Sequence, residues 1–282
     1  HYQDPYISVV EVVIILRRLK PIDLARFYYC PDRRLCGVEV SLLNEIGIFL
    51  ELFETLRKNK ITIVHFTATI SKTSSDLIDL SLIVDLTDSN ISPMELRRLI
   101  IDLEGVKKVG LIEQALPGLF IDEIHFPTYM GGFRAVILDE HGFKALVKDI
   151  RDEWGTAAEV FLYEMGMKMG EEYWKFISQL LRAFSIVDRV KALSSFLKLL
   201  GLGIAEIVKI DLIEGFVAIR IYDSLECAFG KGLGKRYSHF IRGLVAGVAK
   251  SALRAKSVEV IETRCIAIGD PYCEFEVKVQ KE

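Results

Sequence analysis

The chain has 282 residues, 51% of them hydrophobic and 27% charged, with a formal net charge of −3. That composition suits a globular protein with sizeable cores and room for two domains. It excludes the basic footprint of a nucleic-acid binder, and no apolar run is long enough to span a bilayer.

In chain order, residues 1–34 form a lead-in segment with an apolar run at 7–16, basic residues and then Pro21. The pattern there does not decide between strand and helix. From Leu35 it becomes regular. Alternation over 37–43 predicts a strand, and apolar spacing over 46–59 predicts a helix. Residues 61–70 and 78–86 read as strands around the polar stretch 71–76. Ser92 is placed to cap a helix that has Pro93 in its first turn and runs to about Leu103, and 106–113 closes the unit as a strand. This β-α-β-β-α-β order is the ferredoxin-like arrangement. With the turn Asn44-Glu45-Ile46-Gly47 it resembles the ACT family of small regulatory domains. The resemblance implies a regulatory domain over residues 35–116, in which Asn44 and Gly47 let the backbone approach a bound amino acid. Asn44 stands where that family has Asp. A ferredoxin-like unit that dimerises and binds nothing small is the alternative reading.

Ala115-Leu116-Pro117-Gly118 marks a domain boundary, so residues 119–282 are expected to form a second domain. A strand at 120–126 is followed by helical periodicity at 142–153, 157–169, 171–184 and 187–200. Alternating runs come next at 205–212 and 215–223, then a helix at 235–250 and a hairpin of 257–268 with 272–279. Helices and strands come in blocks, which predicts an α+β domain, rich in helix, with an antiparallel sheet.

The clearest chemistry lies in the last forty-odd residues. His239 shares one helix stripe with Gly243 and Gly247, and glycine there allows a close approach to another element. Gly269-Asp270-Pro271 folds Cys273 back towards Cys265. Glu262 lies three residues before Cys265, and regular strand alternation sends the two to opposite faces unless a bulge intervenes. Thiolate, imidazole and carboxylate together suit zinc better than calcium or magnesium. His239, Glu262, Cys265 and Cys273 are therefore the expected ligands of a closed, structural Zn2+ site, with buried free thiols, or a cross-strand disulfide in an exported protein, as the alternative reading of Cys265 and Cys273.

The Cys-x7-Cys ending with its upstream glutamate resembles the C-terminal part of the 4-vinyl reductase domain family. Gly132-Phe133-Arg134 and Glu164-x-Gly166-x3-Gly170 extend the resemblance over about residues 120–282. In that family's phenol-sensing members a cysteine on a glycine-rich helix, a glutamate and two cysteines around a turn hold zinc; here His239 stands at the helix position. The resemblance implies a sensor with an apolar pocket between helices and sheet, for which Trp174, Tyr173 and Phe176 are the candidate lining residues.

Two other motifs are weaker. Gly230-Lys231-Gly232-Leu233-Gly234-Lys235 is one residue short of a phosphate loop and has Arg236 where Ser or Thr belongs. Cys30 and Cys36 have no metal-binding companions. Five cysteines do not make a disulfide framework, and no signal-peptide pattern is visible, so a cytoplasmic protein is expected. The combined reading is a zinc-stabilised sensor of a hydrophobic or aromatic molecule, with a role in transcription regulation through a homodimer or an effector protein. The alternatives are an enzyme or accessory in vinyl or tetrapyrrole reduction, and a scaffold. A filled four-ligand metal cannot activate water, which weighs against the enzyme.

Overall fold

The computed structural model describes residues 19–114 and 116–280. The run 7–16 lies outside them. The chain divides into two compact units, Lys20–Val136 and a second formed mainly by Ile137–Glu282.

The first unit contains β1 (Phe27–Tyr29), β2 (Leu35–Leu43), α1 (Ile46–Lys58), β3 (Thr62–Ile70), β4 (Leu77–Asp85), α2 (Pro93–Ile101), β5 (Val106–Ile112) and β6 (Leu119–Ile121). An antiparallel sheet in the order β3-β4-β2-β5 results, the ferredoxin-like order for β-α-β-β-α-β. Alternate residues Val38, Val40 and Leu42 of β2 and Leu80, Leu82 and Val84 of β4 face α1 and α2, where Leu52, Leu56, Leu96 and Ile100 complete a core. Ser92 caps α2 through a reciprocal box with Glu95, and Pro93 follows it. On the opposite face Leu35, Ile83 and Ile112 pack with Phe120. A Cβ on Gly37 would come within 2.9 Å of the Phe120 ring, so glycine there makes room for it.

β1 pairs with β6 in the register Phe27↔Ile121 to Tyr29↔Leu119. This pairing ties residues 119–121 to the first unit and moves the division from the expected 115–118 to Val136/Ile137. A short hairpin, β7 (Tyr129–Met130) with β8 (Phe133–Arg134), precedes it.

The second unit begins with α3 (Glu140–Lys144), a π-helical turn (Ala145–Asp149) and α4 (Ile150–Trp154). Then come α5 (Thr156–Leu180), α6 (Ile186–Leu199), β9 (Ile204–Asp211), β10 (Phe216–Tyr222), α7 (Leu225–Ala228), α8 (His239–Ala252), β11 (Val258–Arg264) and β12 (Cys273–Val279). The sheet order is β11-β12-β10-β9, antiparallel throughout. Phe143, Leu162, Leu197, Ile221, Ile241 and Phe275 are among its core residues. No described helix is long and apolar enough to cross a membrane.

α5 is one continuous helix where periodicity predicted two around Gly170. That glycine does not break the helix; it is a point of backbone contact. A Cβ on Gly166 or Gly170 would come closer than 3.0 Å to the Phe240 or Leu244 carbonyl oxygen of α8. On α8, a Cβ on Gly243 or Gly247 would meet the Tyr163 or Met167 carbonyl oxygen as closely. Partner numbers rise together along both helices, so α5 and α8 run parallel with their backbones touching.

Gly247→Ala is expected to cost about 1–3 kcal/mol, because the new methyl has only backbone to push against. Gly47, in the first turn of α1, has nothing within 4 Å of a built Cβ, so Gly47→Ala is expected to be neutral or stabilising by up to about 1 kcal/mol. Urea unfolding of the two variants checks this; equal effects would remove the close-contact explanation.

Candidate metal centre and apolar cavity

Cys227, Glu262, Cys265 and Cys273 converge where α7, the start of α8 and the β11–β12 turn meet. All four are buried, and their candidate ligand atoms lie within 4.8 Å of one another. Cys227 sits in the single turn of α7, whose cap Ser224 accepts its N–H at 3.4 Å. Cys265 donates its N–H to Asp270 Oδ2 at 2.8 Å, and its carbonyl accepts the Asp270 N–H at 3.2 Å. These two bonds close the turn, and Gly269 supplies its left-handed residue at φ 102°. The Ile266 N–H then donates to Cys273 Sγ at 3.4 Å.

A bulge resolves the alternation problem at Glu262. Glu262 pairs with Phe275 and Arg264 with Glu274, leaving Thr263 as the extra residue. The inserted residue reverses the alternation, so Glu262 and Cys265 share a face although three positions apart.

Cys227 Sγ lies 3.6 Å from Cys265 Sγ and 3.4 Å from Cys273 Sγ. A tetrahedral ion with metal–sulfur bonds of ~2.3 Å separates its sulfurs by roughly 3.8 Å, so the donor set fits such an ion with little adjustment. Ser238 Oγ donates to Glu262 Oε1 at 2.8 Å and lies 2.8 Å from Cys227 Sγ, orienting the carboxylate from just outside the set. Burial, and next the Cys265 sulfur, pushes the Glu262 carboxyl up to about 8. Cys265 moves the other way: hydrogen bonds from the Cys227 and Cys273 thiols hold it far below the ordinary thiol range. Cys227 is raised by its own hydrogen bonds with Cys265 and Cys273, and next by burial.

His239 is not among the four, and Cys227 takes its place. The stripe His239–Gly243–Gly247 exists, but the element it approaches is α5, not the sheet. His239 therefore faces α5, with Nε2 3.7 Å from Glu159 Oε2 and Nδ1 3.1 Å from Arg151 Nη2. Burial, and next the Arg151 charge, lowers its pKa to about 4. Its sequence neighbour Ser238 points into the cysteines instead. Cys227 carries no local spacing signal, being far from Cys265 in sequence. Its clue is the Ser224-Leu225-Glu226-Cys227 turn just before the glycine-rich loop.

Beside Cys227, Glu226 is completely buried and bonds Arg151 at 2.6 Å. Its oxygens accept the N–H groups of Phe240 at 2.9 Å and Ile241 at 2.8 Å, capping α8. Arg151 also donates to the Tyr237 carbonyl at 2.8 Å and covers the Tyr237 ring at 3.8 Å. Gly230 packs against that same ring, where a Cβ would collide. The phosphate-loop-like segment thus serves packing at its first glycine.

A cavity of about 70 Å³ lies among α6, β9, β10 and α8. Leu193, Leu197, Val217, Ile219, Ile221 and Val245 are among its lining residues. Trp174, Tyr173 and Phe176 do not line it; they form a neighbouring apolar cluster with Ile177, Leu193 and Ala252. In the first unit, the Asn44 N–H donates to the Asp76 carbonyl at 2.9 Å in the β2–α1 turn, and the space beside Gly47 is open.

A family model for the 4-vinyl reductase domain matches residues 217–279, which contain all four clustered side chains. MJ0150 of Methanocaldococcus jannaschii, an uncharacterised protein, is 34% identical over 129 residues, or 45% of this chain and 68% of that one. MJ1642 of the same organism, also uncharacterised, is 37% identical over 89 residues, covering 32% of this chain and 52% of that one. The chain thus spans about two thirds and about half of these relatives. Among solved structures, the phenol-responsive sensory domain of the transcription activator PoxR, with phenol, matches 54% of this chain and 79% of that chain. The identity is 17% and the TM-score 0.48.

Co2+ titration of chelator-treated protein should give sulfur-to-cobalt absorption in wild type and His239→Asn, and a weakened band in Cys227→Ser. A normal band in Cys227→Ser with a lost one in His239→Asn would restore the histidine assignment. A second expectation follows from the depressed His239 pKa. The unfolded histidine protonates near 6.5 and the folded one near 4, so the stability it contributes is complete above about 6.5 and is lost as pH falls towards 4. His239→Asn should flatten that part of the melting-temperature profile; an unchanged slope between pH 6.5 and 4 would show that His239 does not contribute.

Proposed function

This chain belongs to the family of the archaeal protein MJ0150 and carries a 4-vinyl reductase domain in its second unit, and we propose that it is a non-catalytic, small-molecule-binding regulator with a structural zinc site. The observation that carries this reading is the apolar cavity between α6, the β9–β10 hairpin and α8. A void-free second unit would favour a scaffold. A walled apolar space is where a small hydrophobic ligand sits.

Cys227, Glu262, Cys265 and Cys273 are the residues that would hold zinc. Three sulfurs and one carboxylate suit a borderline-soft ion and disfavour calcium or magnesium. With all four positions taken by protein, the ion would supply cross-linking of α7, β11 and β12 and no site for activating water. Around it, Asp270 holds the Cys265 backbone and Ser238 holds Glu262.

A ligand in the cavity would favour one placement of α6 over another, and that shift is the signal passed on. The first unit fits an ACT-like regulatory role on its strand order and on the open turn at Asn44 and Gly47. Its edge strand β3 supports self-association: residues 61–71 contain no Asp, Glu, Lys or Arg, and Ile63, Phe66 and Ile70 are exposed on it.

Thermal-shift measurements with a panel of small aliphatic and aromatic compounds test the ligand reading. At least one compound should raise the melting temperature of wild type and not of Ile219→Trp, in which the cavity is filled. A panel that shifts both proteins alike would refute it. For the metal, elemental analysis of protein purified without chelator should return a single equivalent of zinc per chain, absent from Cys265→Ser/Cys273→Ser; metal-free wild type would end the zinc assignment.

A further inference from the structure

The walls of the cavity define the chemistry of what can enter it. Ser194 is the one lining residue whose side chain carries a polar atom, and its hydroxyl is committed to the Val190 carbonyl at 3.0 Å. Inside, a ligand carbonyl would find no donor, and a ligand hydroxyl or amine would find only the lone pairs of that single oxygen. Burying such a group unpaired costs about 1–3 kcal/mol on the scale of protein substitutions. A phenol seated deep in the cavity with its hydroxyl out of reach of Ser194 Oγ would carry this penalty in full.

Size and shape point the same way. The cavity measures about 70 Å³, roughly half of the ~150 Å³ of an apolar cavity that admits benzene. Its lining nevertheless extends along α8 from Ile241 to Leu253, a rise of about 18 Å. A space that is long and small in volume is narrow, and a flexible chain can thread it where a ring would need its walls parted.

The two ends also differ. Ile221 and Ile241, at one end, are 0% and 1% exposed, whereas Leu212, at the other, is 48% exposed. A molecule with one polar end can therefore leave that end in water beside Leu212 and bury the rest.

From these three observations we infer that the cavity takes an unbranched alkyl chain, entering beside Leu212 with its polar head outside, and that it rejects aromatic alcohols. This inference rests on the proposal that the second unit binds an apolar ligand, and it names the ligand class.

The test is isothermal titration calorimetry on the metal-loaded full chain. Octan-1-ol is compared with 4-propylphenol, an aromatic alcohol of similar hydrophobicity. Octan-1-ol should bind at least tenfold more tightly, and Val245→Phe, which fills the middle of the cavity, should weaken it at least tenfold. Ile219→Phe fills the space from the sheet side and serves as the second variant; unfolding curves confirm that each folds. Equal or tighter binding of 4-propylphenol, lost in both filled variants, would overturn the alkyl assignment and leave the ligand-binding reading standing. Absence of binding by either compound, or binding untouched by both variants, would overturn the two together.

Discussion

The backbone contact between α5 and α8 is the constraint on which the second unit depends. Four glycines, Gly166, Gly170, Gly243 and Gly247, remove every side chain from the line where the two helices meet. Glycine in a helix interior costs about 1 kcal/mol relative to alanine. The sequence carries that cost four times in one seam, so close approach must return more than it loses. Dense backbone packing returns dispersion energy along the whole seam, and it fixes the axial register as well, because each glycine accepts one particular carbonyl. With the register set, Tyr237, Ser238 and His239 can go to only one place each. Ser238 meets the cysteines, His239 meets Glu159, and the Tyr237 ring lies under Arg151.

The start of α8 is held a second time by charge. Glu226 is buried completely, and its burial raises the carboxyl pKa against the pull of Arg151 and of the helix N–H groups. A buried ion pair of this kind is weak evidence for net stability, but removal of either partner is strongly destabilising. Its value here is positional. Glu226 fixes the first turn of α8 through two backbone N–H groups, and the next residue along the chain is Cys227. The same short helix thus delivers a cap to α8 and a thiol to the buried Cys/Glu cluster, so the cluster and the glycine seam share one anchor.

The first unit was largely legible in the amino-acid sequence because its signals are local. β2 and β4 alternate, Ser92-Pro93 opens α2, and each strand prediction falls within a few residues of the observed one. The second unit was harder because its decisive contacts are not local. Gly170 reads as a helix break from periodicity alone; that it is a contact point depends on Leu244, far away in the chain. The His239 stripe was visible, but nothing in it says whether the close neighbour is a sheet or a helix. Glu262 required a bulge at Thr263 that no nearby Gly or Pro announces. Cys227 was hidden for the same reason: its companions are brought to it by the sheet order, and a lone thiol before a glycine-rich loop has no periodic partner. The boundary at Val136/Ile137 depends on β1 pairing with β6 across most of the first unit, and the Pro-Gly pair at 117–118 marks only a turn inside it.

These constraints divide the walls of the apolar cavity into fixed and adjustable parts. α8 is locked along its length by the glycine seam and at its start by Glu226. β10 is tied to β12, where Ile221 pairs with Cys273 of the buried Cys/Glu cluster. The closed end of the cavity, formed by Ile221 and Ile241, is therefore built from residues whose neighbours are the cap and the cluster. α6 is held differently, by side chains such as Leu193, Leu197 and the Phe196 ring, which meets Phe176 at 6.1 Å. Side-chain packing can re-form after a small slide, whereas a seam of backbone contacts cannot. The arriving ligand would thus be accommodated by α6. The Cys227–Glu262–Cys265–Cys273 cluster stands at the rigid end, so on the proposed reading ligand binding would become a displacement of one helix and not a loosening of the whole unit.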